Sequence, residues 1–379
     1  MTTPDVIPGL EGVIAAETGL SSVDGLKGEL IIAGFPLAEL AENATFEEAA
    51  YLLWHGELPD GEQLETFHDE LARRRALPQI TLQLLDAAAA QQIAPMDALR
   101  MVAATLDLDL DDDPDTQALS LLARLPTAVA AYHRLRQGRK PLSPREELSH
   151  AANYLYLLHG EAPTPAQVRA LDTYLITVVD HGLNASTFTA RTIVSTDSDL
   201  VSAITGAIGA LKGPKHGGAP GPALDMVFEI GHPDHAEPTL RAKLERGERL
   251  MGFGHRVYKV RDPRADVLSR AAARLYESSG QQELIELYDL ARHVEQTAVR
   301  LLEEFKPGRN LQTNVEFYTA LLLHGLNLSS DLFSPTFAIG RLPGWIAHCL
   351  EQQRNGRLIR PDSVYTGRRD RRWQPLPER

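Results

Sequence analysis

The sequence is organised around the stretch Gly252-Phe-Gly-His-Arg-Val-Tyr-Lys-Val-Arg-Asp-Pro-Arg-Ala265. Its two glycines allow the backbone a positive φ angle or a close approach to a ligand. His255 follows them directly, so we predict that its ring lies on a loop and not on a packed helix face. Lys259, Arg261 and Arg264 follow in the same stretch, and we expect Pro263 among them to stop regular structure. This combination predicts a site that binds an anion and polarises a group beside it.

A dinucleotide-binding loop is the first alternative for a Gly-x-Gly sequence. The third glycine of that fingerprint would fall at Val257, and no strand pattern precedes the loop. We therefore exclude a dinucleotide fingerprint here.

Composition narrows the range of partners. The chain has 379 residues, which suggests two or three domains at about 150 residues each. Its formal net charge of −13 argues against a nucleic acid partner, and any anion site must be a local basic cluster. The sequence contains one cysteine, Cys349, so we expect no intrachain disulfide and a cytoplasmic location. No signal peptide and no apolar run near the ~20 residues of a membrane helix are expected.

Helix signals dominate the chain and predict a mostly α fold. Three capping boxes predict helix starts at Thr45–Glu48, Ser143–Glu146 and Thr164–Gln167. Apolar periodicity predicts further helices at Leu200–Leu211, Glu283–Phe305, Phe317–Leu323 and Phe337–Gln352. The sequence before residue 36 predicts only a small hairpin, with a short strand at Leu30–Ala33. His181 and His216 are each predicted to lie just beyond a helix end, where a packed scaffold would fix them.

Two metal-like patterns are excluded. A calcium loop starting at Asp107 would need glycine at Asp112 and glutamate at Ala118, so we predict that the acidic stretch Asp107–Asp115 is a solvated loop. His232 and His235 are separated by a proline and lack a nearby cysteine, so we predict a surface turn. We predict no metal site.

Five motifs together resemble the citrate synthase family, in consistent order from about Gly9 to Gly367. The first is the stretch around His255, and the other four are Asp180-His-Gly-Leu-Asn-Ala-Ser186, Lys212-Gly-Pro-Lys-His-Gly-Gly-Ala219, Asn314-Val-Glu-Phe-Tyr318 and Ile339-Gly-Arg-Leu-Pro-Gly-Trp-Ile-Ala-His348. The resemblance implies a multi-helical fold with a large and a smaller inserted helical domain. Residues 1–216 and 322–379 would form the large domain, and residues 217–321 the small one.

The resemblance also implies an activity, the condensation of acetyl-CoA with oxaloacetate to citrate and CoA. Such a reaction needs a base for the methyl proton and donors for the oxygens that gain charge. The family's motifs imply that Glu316 is the base, His216 the donor to the thioester oxygen and His255 the donor to the ketone.

Binding roles follow from the same resemblance. Oxaloacetate has two carboxylates, which suit the planar fork of arginine. The implied substrate-binding residues are His181, Arg264, Arg341 and Arg360. The implied CoA-binding residues are Met251, Gly252, Phe253 and Gly254 through their backbone, and Lys259 through its charge. The resemblance further implies a homodimer that uses the acyl-CoA as co-substrate without another cofactor.

The motifs depart from the family at three positions. Glu316 stands where the family usually has aspartate, Pro220 where asparagine is common, and Lys215 where an apolar residue is usual. The extra methylene of Glu316 moves the carboxylate by about 1.5 Å. We expect Lys215 to add positive charge near His216 and so to disfavour its protonated form. These departures leave three alternatives open: a 2-methylcitrate synthase that uses propionyl-CoA, a non-catalytic protein that binds these ligands, and a purely structural helical protein.

Overall fold

A computed structural model of the chain describes residues 6–108, 113–216, 220–255 and 257–376. Helices dominate these ranges, so the predicted mostly α fold is confirmed. The helices before residue 160 are α1 (Leu37–Asn43), α2 (Phe46–His55), α3 (Gly61–Arg74), α4 (Gln79–Ala90), α5 (Pro95–Ala103), α6 (Pro114–Arg136) and α7 (His150–His159). Those that follow are α8 (Pro165–Thr177), α9 (Ala185–Val194), α10 (Leu200–Leu211), α11 (Pro220–Ile230), α12 (Pro233–Glu245), α13 (Pro263–Ser279), α14 (Gln282–Phe305), α15 (Val315–Gly325) and α16 (Phe333–Asn355). Short 3₁₀ turns occur at Pro8–Leu10 and Ser330–Leu332.

The small sheet near the amino end confirms the predicted hairpin. Strands β1 (Ser21–Asp24), β2 (Glu29–Ile32) and β3 (Phe35–Pro36) are antiparallel in that order, and Ser21 lies opposite Ile32. The turn between β1 and β2 docks on the loop after His255, where the Lys259 N–H donates to the Gly25 carbonyl at 2.8 Å. The hairpin therefore stabilises the position of the loop that follows His255.

Two of the three predicted capping boxes are confirmed, those of α2 and α8. The third prediction is wrong, because the helix after Ser143 begins only at His150, where Ser149 is the cap. Contacts from distant residues hold the intervening segment out of a helix. Asn153 Oδ1 accepts from the Arg145 N–H at 2.9 Å, and Arg75 Nη1 donates to the Arg145 carbonyl at 2.6 Å. Tertiary contacts thus outweigh a local capping signal.

Prolines start helices where we had predicted loops. Pro263 is the first residue of α13 and Pro233 the first of α12, so neither stops regular structure. A proline suits this position because its missing N–H has no partner within the helix. Asp113 likewise caps α6, so the predicted acidic loop ends earlier than Asp115, and its residues 109–112 lie outside the described ranges.

Helix α16 lies at the centre of the molecule and is buried along most of its length. It contacts α2, α6, α8, α9 and α10. Gly344 allows the end of α8 to approach closely, since a Cβ there would lie 2.2 Å from the Val179 carbonyl oxygen. This approach brings Asp180 against α16, where His348 Nε2 lies 3.2 Å from the Asp180 carboxylate.

Two further expectations concern the domain division and membrane-spanning helices. The division into a large domain and an inserted small one stays a prediction. Among the described residues, none of the helices has the length and apolarity that crossing a membrane would require.

Candidate active site

Six of the predicted site residues come from different elements that converge beside α16. His181 and His216 lie just beyond α8 and α10, which confirms their predicted places at helix ends. The remaining four are His255 before α13, Arg264 in α13, Glu316 in α15 and Arg341 in α16.

The His255 ring is held in one tautomer by the backbone. Its Nδ1 accepts from the N–H groups of Val257 and Tyr258, both at 3.1 Å. These two bonds place the proton of the neutral ring on Nε2. Arg264 Nη2, which can only donate, lies 3.3 Å from Nε2, a longer contact than the two that Nδ1 accepts. Burial lowers the pKa of His255 to about 4, and the nearby charge of Arg264 adds to this effect. His255 is thus a neutral N–H donor at pH 7.

The His216 ring has a comparable anchor on the amino end of α9. Its Nε2 lies 3.3 Å from the Ser186 N–H, which can only donate, and 2.7 Å from the Ser186 hydroxyl. Trp345 Nε1 donates to the same hydroxyl at 3.1 Å. Accepting at Nε2 places the ring proton on Nδ1. The anchor is Ser186, which is thirty residues away from His216 in sequence.

Burial also lowers the pKa of His216 to about 4, and the charge of Arg341 contributes. We had expected Lys215 to supply that charge. Lys215 is exposed, and the guanidinium that acts on His216 belongs to α16 instead.

Asn314 connects the loop of His255 to the helix of Glu316. Its Oδ1 accepts from the Glu316 N–H at 3.0 Å as the cap of α15, and its Nδ2 donates to the Gly254 carbonyl at 2.8 Å. Gly252 has φ +87°, and a Cβ there would lie 2.9 Å from the Phe317 Cβ. A glycine is therefore required at position 252 for the loop to pack on α15, and the predicted positive φ is confirmed.

The backbone groups that we predicted to bind CoA take part in the packing of this loop. The Gly254 N–H donates to the Gln312 carbonyl at 2.7 Å, and the Gly252 carbonyl accepts from the Asn314 N–H at 3.0 Å. These backbone groups already have partners within the chain. Met251 and Phe253 are partly buried beside them, and Lys259 is exposed.

Glu316 has the electrostatic environment of a base. Burial raises the pKa of its carboxyl to about 7, against the lowering effect of Arg264 and Arg341. The carboxylate of Asp262 raises it further. A carboxyl group that titrates near neutral pH is more basic than a solvated glutamate and is still ionised in part at pH 7.

Two buried guanidinium groups lie beside this carboxyl. Arg264 is 3% exposed and forms a two-point ion pair with Asp262, with N–O distances of 3.0 and 2.8 Å. Arg341 is 2% exposed, and its Nε donates to the Val178 carbonyl. Burial lowers the pKa of Arg341 to about 10, so it remains charged at pH 7.

His181 completes the group. Its Nε2 lies 3.2 Å from the Tyr258 hydroxyl, and its ring centroid lies 5.8 Å from that of His255. Burial and the charge of Arg264 hold its pKa well below the ordinary value, so the ring is neutral.

Arg360 is the predicted site residue that this single chain does not bring to the cluster. It is exposed on the segment after α16, beside Ile359, whose N–H donates to Ser195 at 3.0 Å. Ser195 ends α9, whereas Ser186 lies near its start. The rise of about 1.5 Å per residue separates the two by about 13 Å.

Several residues of the cluster escaped sequence reasoning as functional positions. They are Ser186, Tyr258, Asp262 and Trp345, and each belongs to one of the quoted motifs. Motif membership was the available signal, but the partner of each side chain depends on the fold.

Comparison with known proteins agrees with this geometry. The family profile described as citrate synthase, C-terminal domain, matches residues 9–362. Citrate synthase 2 of Bacillus subtilis is 44% identical over 379 residues, 98% of each chain. A 2-methylcitrate synthase of Mycobacterium tuberculosis is 38% identical over 375 residues, 97% of this chain and 92% of that one.

A solved structure is similar along the whole chain. It is the ternary complex of carboxymethyl coenzyme A and oxaloacetate with citrate synthase from Thermoplasma acidophilum, with a TM-score of 0.87, 30% identity and full coverage of both chains. Because the family profile and these relatives cover nearly the entire sequence, the chain belongs to the citrate synthase family of transferases, which condense acetyl-CoA with oxaloacetate.

Proposed function

We propose that this chain condenses acetyl-CoA with oxaloacetate to citrate and CoA, with Glu316 as the base. Glu316 removes a methyl proton from the thioester, and the His216 Nδ1–H stabilises the enolate oxygen that results. The enolate carbon then forms a bond to the ketone carbon of oxaloacetate, while the His255 Nε2–H donates to the ketone oxygen. Water cleaves the thioester and releases CoA.

One observation carries this proposal: two neutral imidazoles are each held as donors, beside a carboxyl group that titrates near pH 7. The anchors are Ser186 for His216 and the backbone of Val257 and Tyr258 for His255. Donors that are oriented before the reaction stabilise developing charge without reorganisation. A neutral ring also avoids placing a third positive charge beside the two arginines.

We assign the binding of the oxaloacetate carboxylates to Arg264, Arg341 and His181. Arg264 is oriented by its two-point pair with Asp262 and by a contact with His255, and Arg341 is oriented by the Val178 carbonyl. A guanidinium carries five N–H donors, so such a contact leaves others for a carboxylate. These charges form the local basic cluster that an anionic substrate needs in a chain of net charge −13.

The CoA-binding residues, the homodimer and the cellular location are proposals that follow from membership of the family. We assign CoA to the surface formed by residues 251–254, with Lys259 toward its phosphates, and no cofactor beyond this co-substrate. The position of Arg360 favours a homodimer, in which a tail exposed on one chain can complete the site of another. A cytoplasmic location is supported by the single, buried thiol of Cys349.

The second candidate function, that of a 2-methylcitrate synthase, differs only in the acyl group of the thioester substrate. The similarity to a 2-methylcitrate synthase favours propionyl-CoA as an alternative substrate. One methylene in an apolar pocket is worth about 1–3 kcal/mol, so both thioesters can react. Thiol release measured with each thioester and oxaloacetate ranks them. A higher kcat/KM for propionyl-CoA would contradict the citrate synthase assignment, and binding of both ligands without turnover would favour a ligand-binding role.

The base is tested by Glu316→Ala and Glu316→Asp in the same assay. We expect the alanine variant to lose turnover and the aspartate variant to keep or raise it, because aspartate is the family's usual residue. Glu283→Ala is a matched control, since Glu283 is also the second residue of its helix but is exposed. Wild-type turnover in Glu316→Ala would refute the assignment, as would a loss of the same size in Glu283→Ala.

A further inference from the structure

Tyr174 is a buried residue that the mechanism above does not use. It lies on α8 with 0% exposure, and its hydroxyl has no hydrogen-bond partner within the described part of the chain. Val178, four residues later and therefore on the same face of α8, provides the carbonyl that accepts from Arg341. Tyr174 thus belongs to the face of α8 that meets α16 beside the proposed substrate site.

The Tyr174 hydroxyl is also electrostatically close to the base. The charges of Glu316 and Arg341 both act on it, and burial raises its pKa well above the ordinary value. The hydroxyl is therefore protonated at neutral pH and can donate. Helix α8 packs against both α15, which carries Glu316, and α16.

A buried hydroxyl without a partner does not help the free protein to fold. Leaving such a group unsatisfied costs about 1–3 kcal/mol. Tyr154 on α7 is the opposite case, since it is equally buried but its hydroxyl lies 2.9 Å from the Thr336 hydroxyl. The two tyrosines therefore form a matched pair, one whose hydroxyl has a partner and one whose hydroxyl has none within the described residues.

We propose that Tyr174 is a positioning residue, whose hydroxyl donates to the Glu316 carboxylate when substrates are bound. Glutamate has one more side-chain torsion than aspartate, so its carboxylate needs a contact that selects one orientation. Tyr174 can provide that contact, because its hydroxyl is fully buried and has no other hydrogen-bond partner within the described residues. This inference rests on the proposed role of Glu316 as the base.

Other charged groups face Glu316 as well, and their effects must be kept apart from that of Tyr174. They are Asp262 at the start of α13, Arg264 within α13 and Arg341 on α16. None of them changes in a Tyr174→Phe variant, which removes a single oxygen atom. A donor to the carboxylate stabilises its ionised form, so loss of the hydroxyl should raise the pKa of Glu316.

The test compares Tyr174→Phe with Tyr154→Phe in the full-length enzyme. For Tyr174→Phe we expect kcat to fall about tenfold with little change in KM, which corresponds to the loss of one hydrogen bond. The acid limb of the pH profile should move up by about half a unit to one unit. The melting temperature should stay unchanged or rise. Tyr154→Phe should show the reverse pattern, a lower melting temperature with wild-type kcat and pH profile.

A Tyr174→Phe enzyme with wild-type kcat, an unmoved acid limb or a failure to fold would overturn the proposal. As a second measurement, Tyr174→Phe should cause no further loss in a Glu316→Gln background, because the group it positions is already neutral. An additional tenfold loss there would also overturn it. If the wild-type chain releases no thiol from either thioester, the proposed function itself fails, which is a different outcome from an active enzyme insensitive to Tyr174→Phe.

Discussion

The ion pair between Asp262 and Arg264 supports both the fold and the base, so we expect Asp262→Asn to have two separate effects. Asp262 is 0% exposed, and it caps α13 by accepting from the Arg264 N–H at 3.0 Å. Asparagine is also a good cap, so this backbone bond should survive the substitution. What disappears is the negative charge that compensates the buried guanidinium.

The expected loss of stability follows from burial of the pair. Removing one partner of a buried ion pair costs about 3–5 kcal/mol, because the other charge stays buried without compensation. Unfolding entropy of about 2.1 cal/mol/K per residue gives about 0.8 kcal/mol/K for a chain of 379 residues. The melting temperature should therefore fall by about 4–6 °C at pH 7.

The second effect is on the base. Asp262 raises the pKa of Glu316, which is about 7, and Arg264 lowers it. Asparagine removes the first influence and leaves the second uncompensated, so the pKa of Glu316 should fall. Because the base works in its ionised form, the acid limb of kcat/KM for oxaloacetate should move from near pH 7 to lower pH, by about one unit.

Thermal unfolding and the pH dependence of thiol release measure the two effects. Asp266→Asn is a matched control on the same helix, since Asp266 pairs with Arg261 at 2.5 Å but its side chain is 49% exposed. An exposed pair of this kind contributes at most about 1 kcal/mol, so the melting temperature and the acid limb should hardly change. Equal behaviour of the two variants, or an acid limb that moves to higher pH in Asp262→Asn, would refute this reasoning.

Three further predictions concern the scaffold. Ser186→Ala removes a hydrogen-bond partner of both His216 and Trp345, so kcat should fall at least about tenfold. The fall should be smaller than the ~100–1,000-fold loss that is typical when a donor to an oxyanion is removed outright. An unchanged kcat would exclude Ser186 as the anchor of His216. Gly344→Ala should destabilise by about 3 kcal/mol in thermal unfolding, because its Cβ would lie 2.2 Å from the Val179 carbonyl, whereas Gly61→Ala, with open space around it, should cost nothing. Burial and the charge of Glu47 raise the pKa of Asp172 to about 8, so its contribution to stability is lost as pH rises from about 4 through 8. The melting temperature of Asp172→Asn should therefore exceed that of the wild type increasingly between pH 5 and pH 8, and a constant difference would contradict the raised pKa.

Local signals in the sequence predicted several of the helices, among them α2, α8 and α14. The α2 and α8 boxes are each completed within four residues, and the long α14 was predicted within one residue of its observed start. Such features depend on neighbours along the chain, so periodicity and capping predict them. The capping box predicted at Ser143 is wrong because contacts outside the local sequence decide that segment: Arg75 and Asn153 both bind Arg145.

For the site, the sequence by itself determined which residue types were available and that His181 and His216 follow helix ends. Only the tertiary structure decided their chemistry. The ring proton of His216 depends on Ser186, the pKa of Glu316 on burial and on Asp262, and the orientation of Arg341 on a carbonyl of α8. Hydrogen bonding and desolvation act over a few ångströms in space, whatever the separation along the chain. For that reason motifs located the candidate residues, and packing around α16 set their protonation and direction.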